Sequence, residues 1–422
     1  MLPISTPSAS VPVRCSRVLP QTAGAVMIGP AFVAASAYVD PGNFATNMAA
    51  GSAHGYRLLW VIVAASLMAV LVQAASAKLG LATGRDLSQL CHERMPRPVR
   101  WGLWAQAEAV VIATDLAEVI GGAVALNLLF GTPFLIGGVV TGAVAFAVLA
   151  LESRGIRRFE AVVAGLFGVI TIGFLIDLGH AGVDPHALVG GLAPGFAGPD
   201  SLVLATGIVG ATVMPHAIYL HSALTAEHVR LHVPAGAPVT TSRRHLRTLR
   251  LDVAVALGIA ALVNISMLVI AAQLLGGLGI EDLGAIHTTL DERSGHGVAL
   301  AFALALLASG FAASSVGTYT GQTVMAGFLR RTVPLTLRRC LTLLPALGVL
   351  AAGVDPTSAL ILSQVVLSFG VPFALVPLLW FTSRRDLMGT LVNRRGTTAV
   401  LAAIALLITA LNALLLWGTF TA

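Results

Sequence analysis

Apolar stretches of spanning length recur along the whole chain, near residues 24–50, 58–81, 102–129, 133–151, 159–176, 201–226, 251–274, 297–328, 341–354, 357–381 and 397–419. Short polar segments rich in arginine, proline and glycine separate them. About 20 apolar residues in a helix match the hydrocarbon thickness of a bilayer, so runs of this kind predict transmembrane helices. The pattern predicts an all-α polytopic membrane protein with eleven spans, the ninth a short one. Spans 1–5 fall at about 24–178, spans 6–10 at about 201–382 and span 11 at about 397–420. Residues 1–20 hold Arg14 and Arg17 but no apolar core of the kind a secretory signal needs, so they are expected to form a cytoplasmic tail. Residues 21–422 are expected to form one transmembrane domain.

Composition agrees with the pattern. Of 422 residues, 56% are hydrophobic and 10% charged, where soluble domains carry about 25% charged residues. That excludes a soluble enzyme and leaves no room for a separate soluble domain. The net charge of +6 reflects orientation and not nucleic-acid binding. Of the 25 Lys and Arg residues, 23 lie in the N-terminal tail and in segments 78–100, 154–158, 227–250, 330–339 and 384–395, which share one side if eleven spans are counted. The other side holds only Arg57 and Arg293. The positive-inside rule then puts the N-terminus in the cytoplasm and the C-terminus outside, in a cell-membrane protein. Cys15, Cys91 and Cys340 fall in or beside the cytoplasmic segments, an odd number on the reducing side, and are expected to be free thiols.

Two spans are interrupted at matching places. Span 1 carries Asp40-Pro41-Gly42-Asn43, and span 6 carries Met214-Pro215-His216 with Gly207 and Gly210 upstream. Spans 1 and 6 are five apart, and five is odd, so the second set of five enters the membrane with opposite polarity. A broken helix heading each half points to an inverted-repeat secondary transporter with its site at the bilayer midplane. The repeat is read from position, since no residue-level identity relates the halves. A lone proline kink is more often structural. Here two breaks correspond, and one of them bears a carboxylate that costs roughly 2.5–3.5 kcal/mol to insert at a helix centre.

The breaks define a ligand set. Pro215 has no N–H for the carbonyl of Ala211, and Pro41 has none for the carbonyl of Ala37. Asp40 adds a charged oxygen, Asn43 an amide oxygen and Met214 a thioether. Oxygen alone would suit magnesium or calcium, whereas one sulfur favours manganese(II) or iron(II). An isolated methionine is more often a gap-filler; its place directly before the breaking proline favours a ligand.

"DPGN" in span 1, "MPH" in span 6, "SGFAASSVGTYTGQTVMAGFL" (309–329) in span 8 and "DLAEVIG" (115–121) in span 3 resemble the natural resistance-associated macrophage protein (Nramp) family of proton-coupled divalent metal transporters, its bacterial manganese importers in particular. The resemblance runs from about residue 26 to 395. It implies the LeuT-type fold, a 5+5 inverted repeat plus one span, and metal binding by Asp40, Asn43, Met214 and the carbonyls of Ala37 and Ala211. Gln364, in "ILSQVVLSFG" of span 10, matches a position the family uses for the metal in some conformations. Relatives that move magnesium or aluminium lack the methionine.

Span 3 carries Glu108, Asp115 and Glu118. At helical pitch Asp115 lies about 20° from Glu108 and Glu118 about 60° further round, so the three share a face. Carboxylates crowded on a buried face repel one another and favour holding protons, as a relay requires. His216 and His221 are about 140° apart and form no common metal-binding face. From spacing alone His216 is as well read as a structural histidine as a functional one. The resemblance implies that His216 takes part in proton transfer, that Asp115 and Glu118 lead toward the cytoplasm, and that Arg339 of span 9 lies beside that path. His54, His92, His228 and His245 are expected in loops.

The expected function is import of Mn2+, with Fe2+ and Cd2+, in symport with protons by alternating access, excluding Ca2+ and Mg2+. No cofactor, nucleic-acid partner or obligate protein partner is expected; the partners are the metal ions, protons and the lipid bilayer. The alternative is a LeuT-fold symporter of an amino acid or other organic solute, but a substrate carboxylate would meet Asp40 badly and leave Met214 without a purpose. An intramembrane metalloenzyme would need a motif such as His-Glu-x-x-His, and the chain has none.

Overall fold

The computed structural model describes residues 30–150, 156–232, 243–331 and 334–421, and among them there are helices and no strands. In chain order they are α1 (Pro30–Ala37), α2 (Pro41–His54), α3 (Leu59–Thr83), α4 (Leu87–Arg94), α5 (Arg97–Phe130), α6 (Phe134–Leu149), α7 (Ile156–Ala181), α8 (Pro185–Gly190), α9 (Pro199–Thr212), α10 (Pro215–His232), α11 (Arg243–Leu275), α12 (Leu283–Ser294), α13 (His296–Leu329), α14 (Leu335–Ala351), α15 (Pro356–Thr382), α16 (Arg385–Met388) and α17 (Arg395–Thr421).

Each of the eleven expected spans has a helical counterpart among these residues. Span 1 divides into α1 and α2, and span 6 into α9 and α10. Eight helical stretches are by themselves long and apolar enough to cross a membrane. One of the eight, Pro41–Thr83, joins the second half of span 1 to span 2. The shorter α6 has 16 residues and α14 has 17, so the count of eleven rests on dividing that stretch and on α6 and α14 also crossing. Outward faces carry large apolar side chains such as Leu67, Leu262 and Leu406, the last 71% exposed. That is the surface a hydrocarbon solvent calls for, where a soluble bundle would place polar groups.

The two halves meet at their breaks. α2 packs on α9 and α11, while α15 packs on α5, α9 and α2. α13 lies along α5, and the two approach closely at Gly310, where a Cβ would come within 2.9 Å of the Gly122 backbone. Without water to drive association, small residues that bring backbones together supply the packing.

Several segments expected to be loops differ from the expectation. Segment 330–339 is not all loop: α14 starts at Leu335 and not near 341, and Arg338 and Arg339 are buried within it. Their stems and charges are drawn inward because carboxylates wait on α5. His54 lies at the end of α2, His92 on α4, His228 on α10 and His245 on α11, none in a loop. His92 Nδ1 donates to the Phe328 carbonyl at 2.6 Å, which ties α4 to α13. Cys91 and Cys340 are free thiols, one buried and one exposed. Cys15 and the tail 1–20 lie outside the described residues.

Candidate functional site

The residues that break span 1 also start its second half. Asp40 is the N-cap of α2, with extended backbone (φ −86°, ψ 167°), and Pro41 follows at the first helical position. Those are the favoured residue types for those two places. Only Tyr38, Val39 and Asp40 are left between α1 and α2, and only Val213 and Met214 between α9 and α10.

Two carbonyls of the first unwound segment are held by neighbouring helices. The Tyr38 carbonyl accepts from Asn264 Nδ2 at 2.7 Å, and the Val39 carbonyl accepts from Ser309 Oγ at 2.6 Å. α11 and α13 thus hold the extended segment between the two half-helices. Pro41 leaves the Ala37 carbonyl without its helical donor.

Asp40 Oδ1 accepts from the Asn43 backbone N at 2.8 Å and from Asn43 Nδ2 at 2.7 Å. The same Nδ2 donates to the Ala211 carbonyl of α9 at 3.1 Å. One amide N–H2 therefore bridges a carboxylate oxygen of the first break and the freed carbonyl of the second. Gln364 Nε2 of α15 reaches Asp40 Oδ2 at 3.4 Å. Its amide lies across Gly42, where a Cβ would overlap Nε2. Asn43 Oδ1 and Gln364 Oε1 are buried and accept nothing. Asp40, Asn43, Met214, Ala211, Ala37 and Gln364 are all buried. Met214 shares an apolar cluster with Ala37 and Tyr38, a place that serves packing and ligation alike. Among the described residues no three His, Cys, Asp or Glu side chains gather into a metal-holding cluster. The break offers one carboxylate with neutral partners.

On α5, Asp115 and Glu118 are buried side by side, and Gly317 of α13 makes the room. A Cβ at Gly317 would lie 2.6 and 2.9 Å from the Glu118 oxygens and 3.0 Å from Asp115 Oδ1. Arg339 Nη1 stands 3.5 Å from Asp115 Oδ1 and donates to Thr318 Oγ1 at 2.7 Å, while Nη2 donates to Ser314 Oγ. Glu108 is one step apart from this group. Its partner is Arg338, Nη2 to Oε1 at 2.8 Å, a contact not anticipated from the sequence, where Arg338 counts as a loop charge.

His216 at the head of α10 is buried. Its Nδ1 lies 3.2 Å from Thr114 Oγ1, and that hydroxyl gives its single proton to the Val110 carbonyl at 3.0 Å. With that hydroxyl on the Val110 carbonyl, Thr114 accepts from Nδ1 in the tautomer that leaves the buried, unpartnered Nε2 without a hydrogen. Thr114 was also missed in the sequence, although it stands directly before Asp115. His221 has a different partner from His216, with Nδ1 2.9 Å from Gln73 Oε1.

An all-helical membrane bundle whose two broken helices face each other around one buried carboxylate has the architecture of the inverted-repeat transporters. The chain belongs to the Nramp family: the model of natural resistance-associated macrophage protein-like proteins matches residues 31–418. It is 49% identical to the divalent metal cation transporter MntH of Deinococcus radiodurans, over 95% of this chain and 90% of that one. It is 50% identical to MntH of Mycobacterium tuberculosis, over 94% and 92%. The manganese transporter of Eremococcus coleocola, in complex with an aromatic bis-isothiourea substituted compound, superposes with a TM-score of 0.81 at 32% identity, covering 93% of this chain and 87% of that one. The fold is shared more widely: Mhp1, a nucleobase-cation-symport-1 family transporter, superposes with a TM-score of 0.59 at 15% identity, over 85% of this chain and 79% of that one. Its relatives are named as transporters, and the chain is a membrane transporter and not an enzyme.

Proposed function

We propose that the chain imports divalent transition-metal ions, Mn2+ foremost with Fe2+ and softer ions such as Cd2+, in symport with protons, and excludes Ca2+ and Mg2+. The observation that carries this reading is the Asn43 amide bridging Asp40 Oδ1 and the Ala211 carbonyl. A hydrogen-bond donor occupies the point where a cation would bind both oxygens. If the amide turns over, Oδ1 faces that point and adds a third oxygen. The Ala37 carbonyl, Gln364 and the Met214 thioether complete a mixed set that suits a borderline metal better than a hard one. The relatives named for divalent metal and manganese transport support the same cargo.

Because every proposed ligand is buried, a metal reaches the site only when one side of the bundle opens, which is alternating access. His216 Nε2 takes the proton, and Asp115 and Glu118, held by Arg339, pass it toward the cytoplasm. Glu108 with Arg338 stands at the exit. Residues 21–422 act as one transport unit, with residues 1–20 as a cytoplasmic tail, in the cell membrane with the C-terminus outside.

The test is dye-reported Mn2+ uptake into proteoliposomes, with amino acids as control solutes. The wild-type chain should take up Mn2+ and no amino acid, and Asp40→Ala should abolish uptake while remaining folded, since losing a desolvated charge eases insertion. Near wild-type Mn2+ uptake by Asp40→Ala would sink the site.

A further inference from the structure

α17 stands outside the two repeats, yet one of its side chains reaches the structure that supports the site. α15 carries Pro372, which has no N–H for the carbonyl of Ser368 four residues earlier. A carbonyl orphaned in this way at membrane depth needs another donor. Asn412 of α17 supplies it: Nδ2 donates to the Ser368 carbonyl at 2.9 Å. In return Ser368 Oγ donates to Asn412 Oδ1 at 2.7 Å. Both residues are buried. The exchange is a two-point clamp across the kink.

The clamped turn bears on both breaks. A Cβ at Gly210 would overlap the Gln364 carbonyl and lie 2.8 Å from the Ser368 N, so the segment next to Ala211 rests on this turn. The Gln364 side chain lies across Gly42 and reaches Asp40. At Gly370, still on the same stretch, a Cβ would lie 3.1 Å from Pro215. Residues 364–370 of α15 therefore wedge between the first break and the second, and Asn412 fixes them from behind.

We infer that Asn412 is a positioning residue for metal binding: it replaces the hydrogen bond that Pro372 removes from α15 and so holds Gln364 against Asp40. The inference rests on the metal-site reading above. A plain helix-to-helix staple would make the same two bonds, so the test must ask whether Asn412 acts through Gln364.

The experiment measures Mn2+ affinity by calorimetry, and thermal melting, on the purified full chain as wild type, Asn412→Leu, Gln364→Ala and their double variant. Asn412→Leu should fold and bind Mn2+ about fivefold more weakly, a size usual for coupling between contacting residues. The double variant should bind no more weakly than Gln364→Ala alone. Ser368→Ala, which removes one of the two bonds and leaves the carbonyl satisfied, should show a smaller loss and serves if Asn412→Leu does not fold. Wild-type affinity in Asn412→Leu, or in Ser368→Ala where Asn412→Leu does not fold, overturns the inference, and so do losses that multiply in the double variant. If Gln364→Ala binds normally while Asp40→Ala does not, the inference fails and the site stands. If Asp40→Ala also binds normally, the site reading fails and takes the inference with it.

Discussion

At Met214 two roles for one buried side chain predict different ion preferences. A thioether adds little to a hard cation but is the only soft contact in an otherwise oxygen-rich site. Met214→Ala should weaken Mn2+ uptake by less than about tenfold, since manganese accepts an all-oxygen shell with water in the vacancy. Cd2+ should lose more, and Ca2+ and Mg2+ should gain relative to Mn2+. Uptake of the four ions by wild-type and variant proteoliposomes checks this. Unchanged exclusion of calcium and magnesium, with cadmium unaffected, would make Met214 a packing residue. At this scale the sequence was informative wherever a residue was out of place in a membrane. Asp40, Pro41, Pro215 and Glu118 announce themselves by their cost. Thr114 and Gly317 do not, because a threonine or glycine is ordinary in a membrane helix and acquires its role only from what lies across from it.

Between helices, the line where α13 meets α5 decides how protons could pass. Gly317→Ala should push a Cβ into the carboxyl oxygens of Glu118 and Asp115, and overpacking of this kind costs roughly 1–3 kcal/mol. The expected result is reduced acid-driven proton influx with Mn2+ binding largely kept, read by a pH-sensitive dye and by calorimetry. Asp115→Asn and Glu118→Gln should each lower proton influx under a pH gradient. If both amide variants retain full flux, the α5 relay is wrong. The shared face of Asp115 and Glu118 was legible from helical spacing. The cation of Glu108 was harder to find: Arg338 sits next to a polar loop, and spacing alone cannot tell a loop arginine from one folded back onto a buried carboxylate.

For the molecule as a whole, the charge distribution makes an orientation prediction. In a background lacking Cys15, Cys91 and Cys340, a cysteine at Glu281 should react with a membrane-impermeant maleimide in intact cells, and one at Asp386 only after lysis. The reverse labelling would invert the topology. Hydropathy and arginine placement determined the all-helical bundle, its eleven helical stretches and its two interrupted helices, because hydrocarbon forces every backbone group into a helix and makes each exception costly. The same cost marked Asp40 as a candidate before any contact was known. Tertiary structure alone decided that Asn43 bridges the two breaks, that Asn264 and Ser309 hold the unwound segment, and that Asn412 repairs the kink at Pro372. Those contacts join residues far apart in sequence through single hydrogen bonds, and a polar side chain on a membrane helix reveals that it needs a partner without revealing which one.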